Sequence, residues 1–399
     1  MVRLFTDSEY EVRWFSRQIV FQICQNQYKE NNMFCILIKP KSKTEYELFT
    51  NVIFNTEKET LDYVKRSKFN KKIEWKVVDY DMKYFKNKKI LITGGAGFIG
   101  SHLTKRLVEA KAKLSVIVRY NSIIDCPRLI NIWDKIKIIE ADLRNIDSIN
   151  AIKKLKFDYI FHLAAYNHVG DSFTHVHESI NSNLFSTINI LDHGPRFKKF
   201  IHIGSSEIYG LQQKIPFAPN KMPNPMSPYA LGKYSSELYA RLKSRQNKNN
   251  LICLRPFNTF GPYQSEKAII PEIIIKCLLG KEIKTTSGEQ TREFNYVDNI
   301  INGIMLVCQK VKHLDKPINL GSNKPVKIKN LVKKIHQLTK SKSILKIGAI
   351  KYRPNEIWRM QAENKFVTKT LGWKPSVTFD EGLKNSIKWY KKFLKLYHH

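Results

Sequence analysis

Residues 88–100, Lys-Lys-Ile-Leu-Ile-Thr-Gly-Gly-Ala-Gly-Phe-Ile-Gly, decide the fold of this chain. They begin with a short apolar run that predicts a buried strand. They end in three spaced glycines, Gly94, Gly97 and Gly100, and the residues that follow have the apolar spacing of one helix face. Strand, glycine turn and helix, in this order, are the context that a dinucleotide-binding turn requires.

The three glycines have different physical tasks in such a turn. The first allows the tight turn, the second removes a Cβ so that backbone N–H groups can approach a pyrophosphate, and the third lets the helix pack close to the strand. The positive end of the helix then points at the phosphates. The alternative is a glycine-rich turn that serves packing alone, and the flanking strand and helix favour the nucleotide site.

Length and composition narrow the class of protein. The 399 residues suffice for two or more cores, and 42% hydrophobic residues are ordinary for a globular protein. We expect no membrane span, because no long uncharged apolar run occurs, and a cytoplasmic location, because the N-terminus has no signal-peptide core. The 6 cysteines form no CxxC pair, which indicates reduced thiols, and no cluster has metal-ligand spacing.

The formal net charge of +33 suggests two kinds of partner. A nucleic-acid surface would concentrate its lysines in one patch, whereas here the lysines are dispersed through every segment. We therefore expect no nucleic-acid partner. A broad positive field would also attract a substrate that carries a diphosphate.

Residues 1–87 precede the glycine turn and are predicted to be a separate small α/β module. Helix, strand, strand, helix and strand are predicted, in this order, over residues 8–25, 33–39, 48–55, 57–68 and 72–81. The segment contains no histidine and no acidic metal spacing. Our default interpretation is an appendage for oligomerisation or regulation.

From residue 88 onward strands and helices alternate, which predicts a parallel sheet covered on both faces. The second to sixth strands are predicted over residues 113–118, 135–142, 158–165, 198–206 and 251–258. The fold class is therefore α/β, a Rossmann-type doubly wound sheet.

The residues that follow two of the predicted strands indicate which dinucleotide binds. An acidic residue after the second strand would bind the ribose 2′-OH of NAD, whereas this chain has Arg119, which suits the 2′-phosphate of NADP. Arg119 could instead stack on the adenine. Asp142, at the end of the third strand, is placed to meet the adenine ring. The expected cofactor is NAD or NADP, and Arg119 leans to NADP.

Tyr229 and Lys233 form a YxxxK pattern that places both side chains on one helix face. A nearby ammonium lowers the pKa of a phenol, so that Tyr229 could exchange a proton with a sugar hydroxyl near neutral pH. The pattern alone is common on surfaces. Here the helix start at Ser227 and Pro228, downstream of a dinucleotide turn, favours catalysis.

A second motif, Gly204-Ser-Ser-Glu-Ile-Tyr-Gly210, follows the fifth strand. Ligands bind at the carboxyl ends of the strands in open α/β sheets. Ser205 can hydrogen-bond the hydroxyl that is oxidised, and Glu207 offers a carboxylate beside it. The alternative for Glu207 is a solvated loop acid.

Taken in order, TGGAGFIG, HLAA, GSSEIYG, YxxxK and RPFNTFGP resemble the extended short-chain dehydrogenase/reductase family, the NAD-dependent epimerases and dehydratases of nucleotide sugars. The resemblance covers about residues 88–395. It implies a Rossmann core mainly over 88–260 and a smaller C-terminal substrate lobe mainly over 261–399. It also implies a homodimer that pairs through a four-helix interface including the YxxxK helix.

Within the family, the Ser-Ser-Glu triplet is similar to that of sugar-nucleotide 4,6-dehydratases, and the RPFNTFGP run resembles those that act on GDP- or UDP-linked sugars. UDP-glucuronate decarboxylases carry a similar triplet, so a decarboxylase remains an alternative, as does a 4-epimerase. Ser206 replaces the Asp of dTDP-glucose dehydratases, which argues against dTDP-glucose as substrate. The non-enzymatic alternative is a dinucleotide-binding regulatory protein.

The dehydratase resemblance implies a role for each residue of the catalytic set. Tyr229, beside Lys233, takes the proton of the sugar 4-OH while hydride leaves C4 for a tightly bound, recycled nicotinamide. Glu207 then removes the C5 proton, and water is lost from C6 with Glu207 and Ser206 assisting protonation. Ser205 binds the reacting hydroxyl.

The resemblance also implies binding residues. The residues assigned to the cofactor include the glycines, Arg119, Asp142, Tyr229 and Lys233. The others are Phe98, Ile99, Leu143, Leu163, Ala164 and Ala165. Those assigned to the nucleotide sugar are His168, Ser172, Asn258, Arg292 and Arg353, the arginines as diphosphate clamps. Asn183 would support the active site, whereas His162 and His202, which lie inside strands, are expected to be core residues.

Overall fold

The computed structural model describes residues 10–11, 37–40, 47–48, 82–120, 127–212, 214–353 and 356–397. The chain divides into two compact units, Met1–Met82 and Lys83–His399. In the first unit the described residues form three short antiparallel strands, Tyr10–Glu11, Leu37–Pro40 and Glu47–Leu48.

The helix predicted over residues 8–25 is therefore wrong at Tyr10–Glu11, where the backbone pairs with Lys39 and Pro40. Apolar spacing could not reveal this pairing, because a strand partner lies elsewhere in the sequence. The remainder of that predicted helix, and most of the other elements predicted before residue 82, lie outside the described residues.

The described part of the second unit contains a seven-stranded parallel sheet in the order β7-β6-β5-β4-β1-β2-β3. The strands are β1 Lys89–Thr93, β2 Lys113–Val118, β3 Lys137–Glu140, β4 Lys156–His162, β5 Arg196–Ile203, β6 Asn250–Pro256 and β7 Ile318–Leu320. The predicted doubly wound α/β fold is confirmed. The strand order reverses between β1 and β4, and ligands bind at such a switch point.

Helices follow the strands in the alternating order that the sequence predicts. They are α1 Phe98–Glu109, α2 Ile146–Asn150, α3 Val176–Ile180, α4 Ser186–Asp192, α5 Pro228–Asn247, α6 Ile269–Leu278, α7 Val297–Lys310, α8 Ile328–Thr339 and α9 Phe379–Tyr397. A π-helical turn, Asn181–Phe185, joins α3 to α4. Leu91 and Ile160 of the sheet pack with Ile190 of α4 and Ala240 of α5 in one buried layer.

The residues after β6 build a second layer of structure around small strand pairs. Thr259–Phe260 pairs with Asn295–Tyr296, Ile283–Thr285 with Leu345–Ile347, and Thr291–Glu293 with Pro325–Lys327. Helices α6, α8 and α9 pack together beside them. The same stretch also returns to the core, because Ile318–Leu320 is the edge strand β7 of the large sheet.

Composition also predicts that the chain has no membrane span and that its cysteines are reduced. None of their helices is at once long enough and apolar enough to cross a membrane. Cys253, Cys277 and Cys308 are buried free thiols. The other three cysteines lie outside the described residues.

Candidate active site

The glycine turn joins β1 to α1 with no room for a side chain at Gly94 or Gly100. Gly94 has a φ of +69°, and a Cβ on it would lie 2.6 Å from the amide nitrogen of Ala164. A Cβ on Gly100 would lie 2.0 Å from the carbonyl oxygen of Gly94. Helix α1 begins at Phe98, so the N–H groups of Phe98 and Ile99 belong to a first turn that has no partners inside the helix. This cradle fits a pyrophosphate, as the sequence predicts.

The segment after β4 lies directly against this turn. The Ala164 amide donates to Thr93 Oγ1 at 3.2 Å, and Leu163 and Ala164 flank Gly94. Buried Asn183 holds the next residue, since its side-chain amide accepts from the Tyr166 N–H at 3.1 Å and donates to the Tyr166 carbonyl at 3.2 Å. The structure thus brings the predicted residues Leu163, Ala164 and Ala165 to the end of β1.

A cavity of about 540 Å³ opens at the carboxyl ends of β2 and β3. Its lining includes Arg119, Tyr120, Glu140, Asp142 and Arg144. Asp142 therefore lies at the predicted adenosine end, but its carboxylate is paired with Arg144 at 2.6 Å. This pairing lowers the pKa of Asp142. Arg144 was not among the predicted site residues.

Tyr229 lies in the first turn of α5, which Ser227 caps by accepting the Ala230 N–H at 3.1 Å. The phenol is buried and hydrogen-bonds Ser205, which itself caps the Ser206–Tyr209 turn by accepting the Glu207 N–H. The structure thus brings Tyr229, Ser205 and Glu207 together, as predicted.

The prediction that Lys233 lowers the pKa of Tyr229 is wrong in this structure. Burial raises the pKa of Tyr229 to about 12, with the Ser205 hydrogen bond opposing and the Glu207 charge adding to the rise. The Lys233 ammonium is buried as well and donates to the Ile203 carbonyl at 2.6 Å. Burial lowers the pKa of Lys233 to about 8.

Glu207 is not a solvated loop acid. Burial raises the pKa of its carboxyl group, against the opposing charges of Arg292 and Arg353 and with a further rise from Glu356. Arg292 pairs with Glu356 at 2.7 Å and also donates to the carbonyls of Thr291 and Ile357. Because its pKa is raised, this carboxylate accepts a proton more readily than an exposed glutamate does.

Ser206 differs from its neighbours in the triplet. Its side chain is buried, and the hydroxyl donates to the sulfur of Met360 at 3.4 Å. The side-chain amide of Asn258 approaches the same sulfur at 3.7 Å. The side chains of Ser206 and Asn258 thus share the Met360 sulfur, and their predicted roles toward substrate stay predictions.

The other predicted substrate residues fall in two groups. His168 and Arg353 meet beside Gly170, since both side chains lie within 4 Å of the point where a Cβ of Gly170 would stand. Ser172 is fully buried and donates to the Val169 carbonyl at 2.6 Å, which indicates that it shapes the loop.

The two strand histidines are core residues, as predicted. His162 hydrogen-bonds Thr93 and Thr187, burial lowers its pKa to about 3, and its ring stacks on that of His202. Among the described residues, no group of three or more His, Cys, Asp or Glu side chains could hold a metal ion.

Sequence reasoning missed Arg144, Glu178, Glu356 and Met360. Glu356 lies in the YRPNE run that contains Arg353, and its acidic side chain was the available signal. Arg144 lies two positions after the predicted Asp142, with which it pairs. The partners of Glu178 and Met360 are distant in the sequence, so that only the fold brings these two residues to the site.

Comparison with known proteins agrees with this geometry. The family model described as GDP-mannose 4,6 dehydratase matches residues 91–386. The chain belongs to this family, within the extended short-chain dehydrogenase/reductase epimerases and dehydratases, and the predicted resemblance is confirmed.

Individual relatives differ in activity. The human dTDP-D-glucose 4,6-dehydratase is 30% identical over 321 residues, 76% of this chain and 90% of the relative. The UDP-glucuronic acid decarboxylase 1 of Xenopus tropicalis is 28% identical over 317 residues, 77% of this chain and 73% of the relative. The solved UDP-N-acetylglucosamine 4-epimerase of Methanobrevibacter ruminantium is 29% identical, with a TM-score of 0.69 over 77% of this chain and 99% of that one.

Proposed function

We propose that the protein is a nicotinamide-dependent nucleotide-sugar 4,6-dehydratase. The observation that carries this proposal is Glu207, whose carboxyl group has a raised pKa and lies within electrostatic reach of the Tyr229 phenol. Oxidation at C4 and proton removal at C5 of one sugar ring need a phenol and a second base side by side. The family match and the dehydratase relative support the same reaction class.

The cradle at Gly94 and Gly100 and the cavity beside Arg119 and Asp142 fit a dinucleotide. A bound nicotinamide would accept hydride from the sugar C4 and later deliver it to C6. The first turn of α1 would hold the pyrophosphate through its N–H groups. Arg119 is the sequence feature that favours NADP over NAD. The choice between the two cofactors depends on the ion pairs around Arg119.

Tyr229 would take the proton of the sugar 4-OH. The Ser205 hydrogen bond opposes the rise that burial causes in the phenol pKa, and so assists the loss of the phenol proton that this step needs. The 4-ketone that results acidifies the C5 proton, which Glu207 removes. Because burial raises the pKa of Glu207, the same carboxyl group can then protonate the hydroxyl that leaves C6 as water.

The test is mass spectrometry of products from UDP-N-acetylglucosamine, GDP-mannose, GDP-N-acetylglucosamine, dTDP-glucose and UDP-glucuronate. We expect loss of one water from one of them with the wild-type protein. Loss of CO₂ from UDP-glucuronate would instead establish a decarboxylase, and an isomer of unchanged mass would establish an epimerase.

Two variants separate the steps. In Glu207→Gln we expect dehydration to stop while a 4-keto sugar still forms slowly, which borohydride trapping with deuterium would detect. In the matched control Tyr229→Phe, no ketone should form. Wild-type turnover by Glu207→Gln would contradict the assignment of the C5 base.

The homodimer that the sequence predicts has a candidate surface on α5. Leu231, Leu238 and Leu242 are 49%, 44% and 49% exposed and share one helix face, beside exposed Phe185 on the neighbouring π turn. A second copy of the chain would cover this apolar stripe. Leu238→Glu should therefore halve the mass measured by light scattering, whereas Ile350→Glu, at an exposed residue elsewhere, should not.

A further inference from the structure

Two guanidinium groups line the adenosine end of the cleft, and one of them is firmly held. Arg144 donates to both carboxylate oxygens of Asp142, through Nε at 2.9 and 3.1 Å and through Nη2 at 2.6 Å. Its Nη1 donates to the two oxygens of Glu178 at 2.6 and 2.5 Å. These charge-assisted bonds use the donors with which an arginine would otherwise grip a phosphate.

Glu178, on α3, faces both guanidiniums. Its Oε1 lies 3.9 Å from Nη1 of Arg119, and the Ser182 hydroxyl donates to the same oxygen at 3.2 Å. The Arg119 side chain, which lines the cavity, is 63% exposed and that of Glu178 is 38% exposed, so both charges are accessible to solvent. Arg119 therefore meets an acidic partner at the place where the sequence suggests a 2′-phosphate.

The charges at this end of the cleft do not favour a dianion. Among the described residues, the guanidiniums of Arg119 and Arg144 are opposed by the carboxylates of Glu140, Asp142 and Glu178. A 2′-phosphate would have to draw Arg119 away from Glu178 and approach that carboxylate, whereas a ribose hydroxyl is neutral and can donate to it.

We propose that Glu178 determines the cofactor preference of this protein and that it favours NAD over NADP. The inference rests on the proposed nicotinamide site and reverses the preference that Arg119 alone suggests. Without the Glu178 charge, Nη1 of Arg144 and the Arg119 guanidinium would both be available to a phosphate.

The experiment measures binding and does not depend on turnover. The full-length protein, stripped of copurified dinucleotide, is titrated with NAD and NADP by calorimetry, and with adenosine 5′-diphosphate and adenosine 2′,5′-bisphosphate as probes of the adenosine end. We expect NAD to bind the wild type more tightly. Glu178→Gln should shift the NADP-to-NAD affinity ratio toward NADP by roughly tenfold, as expected for removing one partly screened charge.

Glu140→Gln is the matched control, because it removes a carboxylate of the same cleft that makes no ion pair with a described residue. We expect it to change the ratio by less than about threefold. A wild-type preference for NADP, an unchanged ratio in Glu178→Gln, or an equal shift in Glu140→Gln would overturn the role of Glu178 and leave the dehydratase proposal standing. Failure to bind either dinucleotide would overturn both.

Discussion

Replacing Arg255 by Met should destabilise the protein far more than the loss of a surface ion pair. Arg255 of β6 and Glu237 of α5 are 2% and 0% exposed and are joined by two hydrogen bonds of 2.7 and 2.8 Å. Arg255 also donates to the Tyr209 hydroxyl at 2.8 Å, and its guanidinium lies 4.9 Å from that ring. The variant would leave the Glu237 carboxylate buried without its cation.

Removing one partner of such a buried pair costs about 3–5 kcal/mol. For a unit of this size that loss lowers the melting temperature by roughly 5–8 °C. Urea unfolding followed by circular dichroism measures the free energy, and calorimetry the melting temperature. Because the pair joins α5, which carries Tyr229, to the strand that precedes Asn258, the proposed activity should fall in parallel.

The double variant Glu237→Leu/Arg255→Met tests the physical reason. If the penalty comes from the unpaired charge, the apolar pair should recover most of the lost stability. The control Arg245→Met breaks an exposed pair with Asp315 and should cost less than about 0.5 kcal/mol. A loss below about 1 kcal/mol in Arg255→Met, or no recovery in the double variant, would refute this reasoning.

The remaining predictions concern Lys233 and the glycine turn. Burial lowers the pKa of Lys233 from 10.5 to about 8, so between pH 8 and 10.5 folding releases the proton of its side chain. The free energy of unfolding should therefore rise with pH across that window, by on the order of 3 kcal/mol in all. Lys233→Met should abolish this rise, as measured by melting temperature from pH 7.5 to 10.5, and a wild-type profile in the variant would contradict the prediction. Gly100→Ala should abolish dinucleotide binding in a calorimetric titration, because its Cβ would lie 2.0 Å from the Gly94 oxygen. Gly280→Ala, whose Cβ would have no heavy atom within 4 Å, should bind normally, and equal binding by both variants would argue against the steric explanation.

The sequence predicts those features that depend on local pattern. The run before Gly94 forms β1, and the glycines make the tight turn because their spacing reports directly on backbone geometry. The cap at Ser227 and the shared face of Tyr229 and Lys233 follow from helix periodicity, and both are present. These signals need no knowledge of the rest of the chain.

Features that depend on distant partners were beyond such reasoning. Helix spacing places Lys233 near Tyr229, but the ammonium turns to the Ile203 carbonyl, and burial outweighs any effect of charge on the phenol. Glu178 and Arg144 lie 34 positions apart, and only the fold brings α3 to the loop after β3 and makes them partners. The side chains that tune the site therefore come from tertiary structure, whereas those that define the family come from motifs.

The contact between Ser206 and Met360 has a consequence for biosynthesis. The two residues are 154 positions apart, and the neighbouring Phe217 N–H bonds the carbonyl of Gln361 at 2.7 Å. A ribosome completes β1 and the glycine turn early, when most of the residues that follow β6 are still unmade. The contact of Ser206 with Met360 can form only after about nine-tenths of the chain has been made, so the glycine turn is complete long before the proposed catalytic turn has all its contacts.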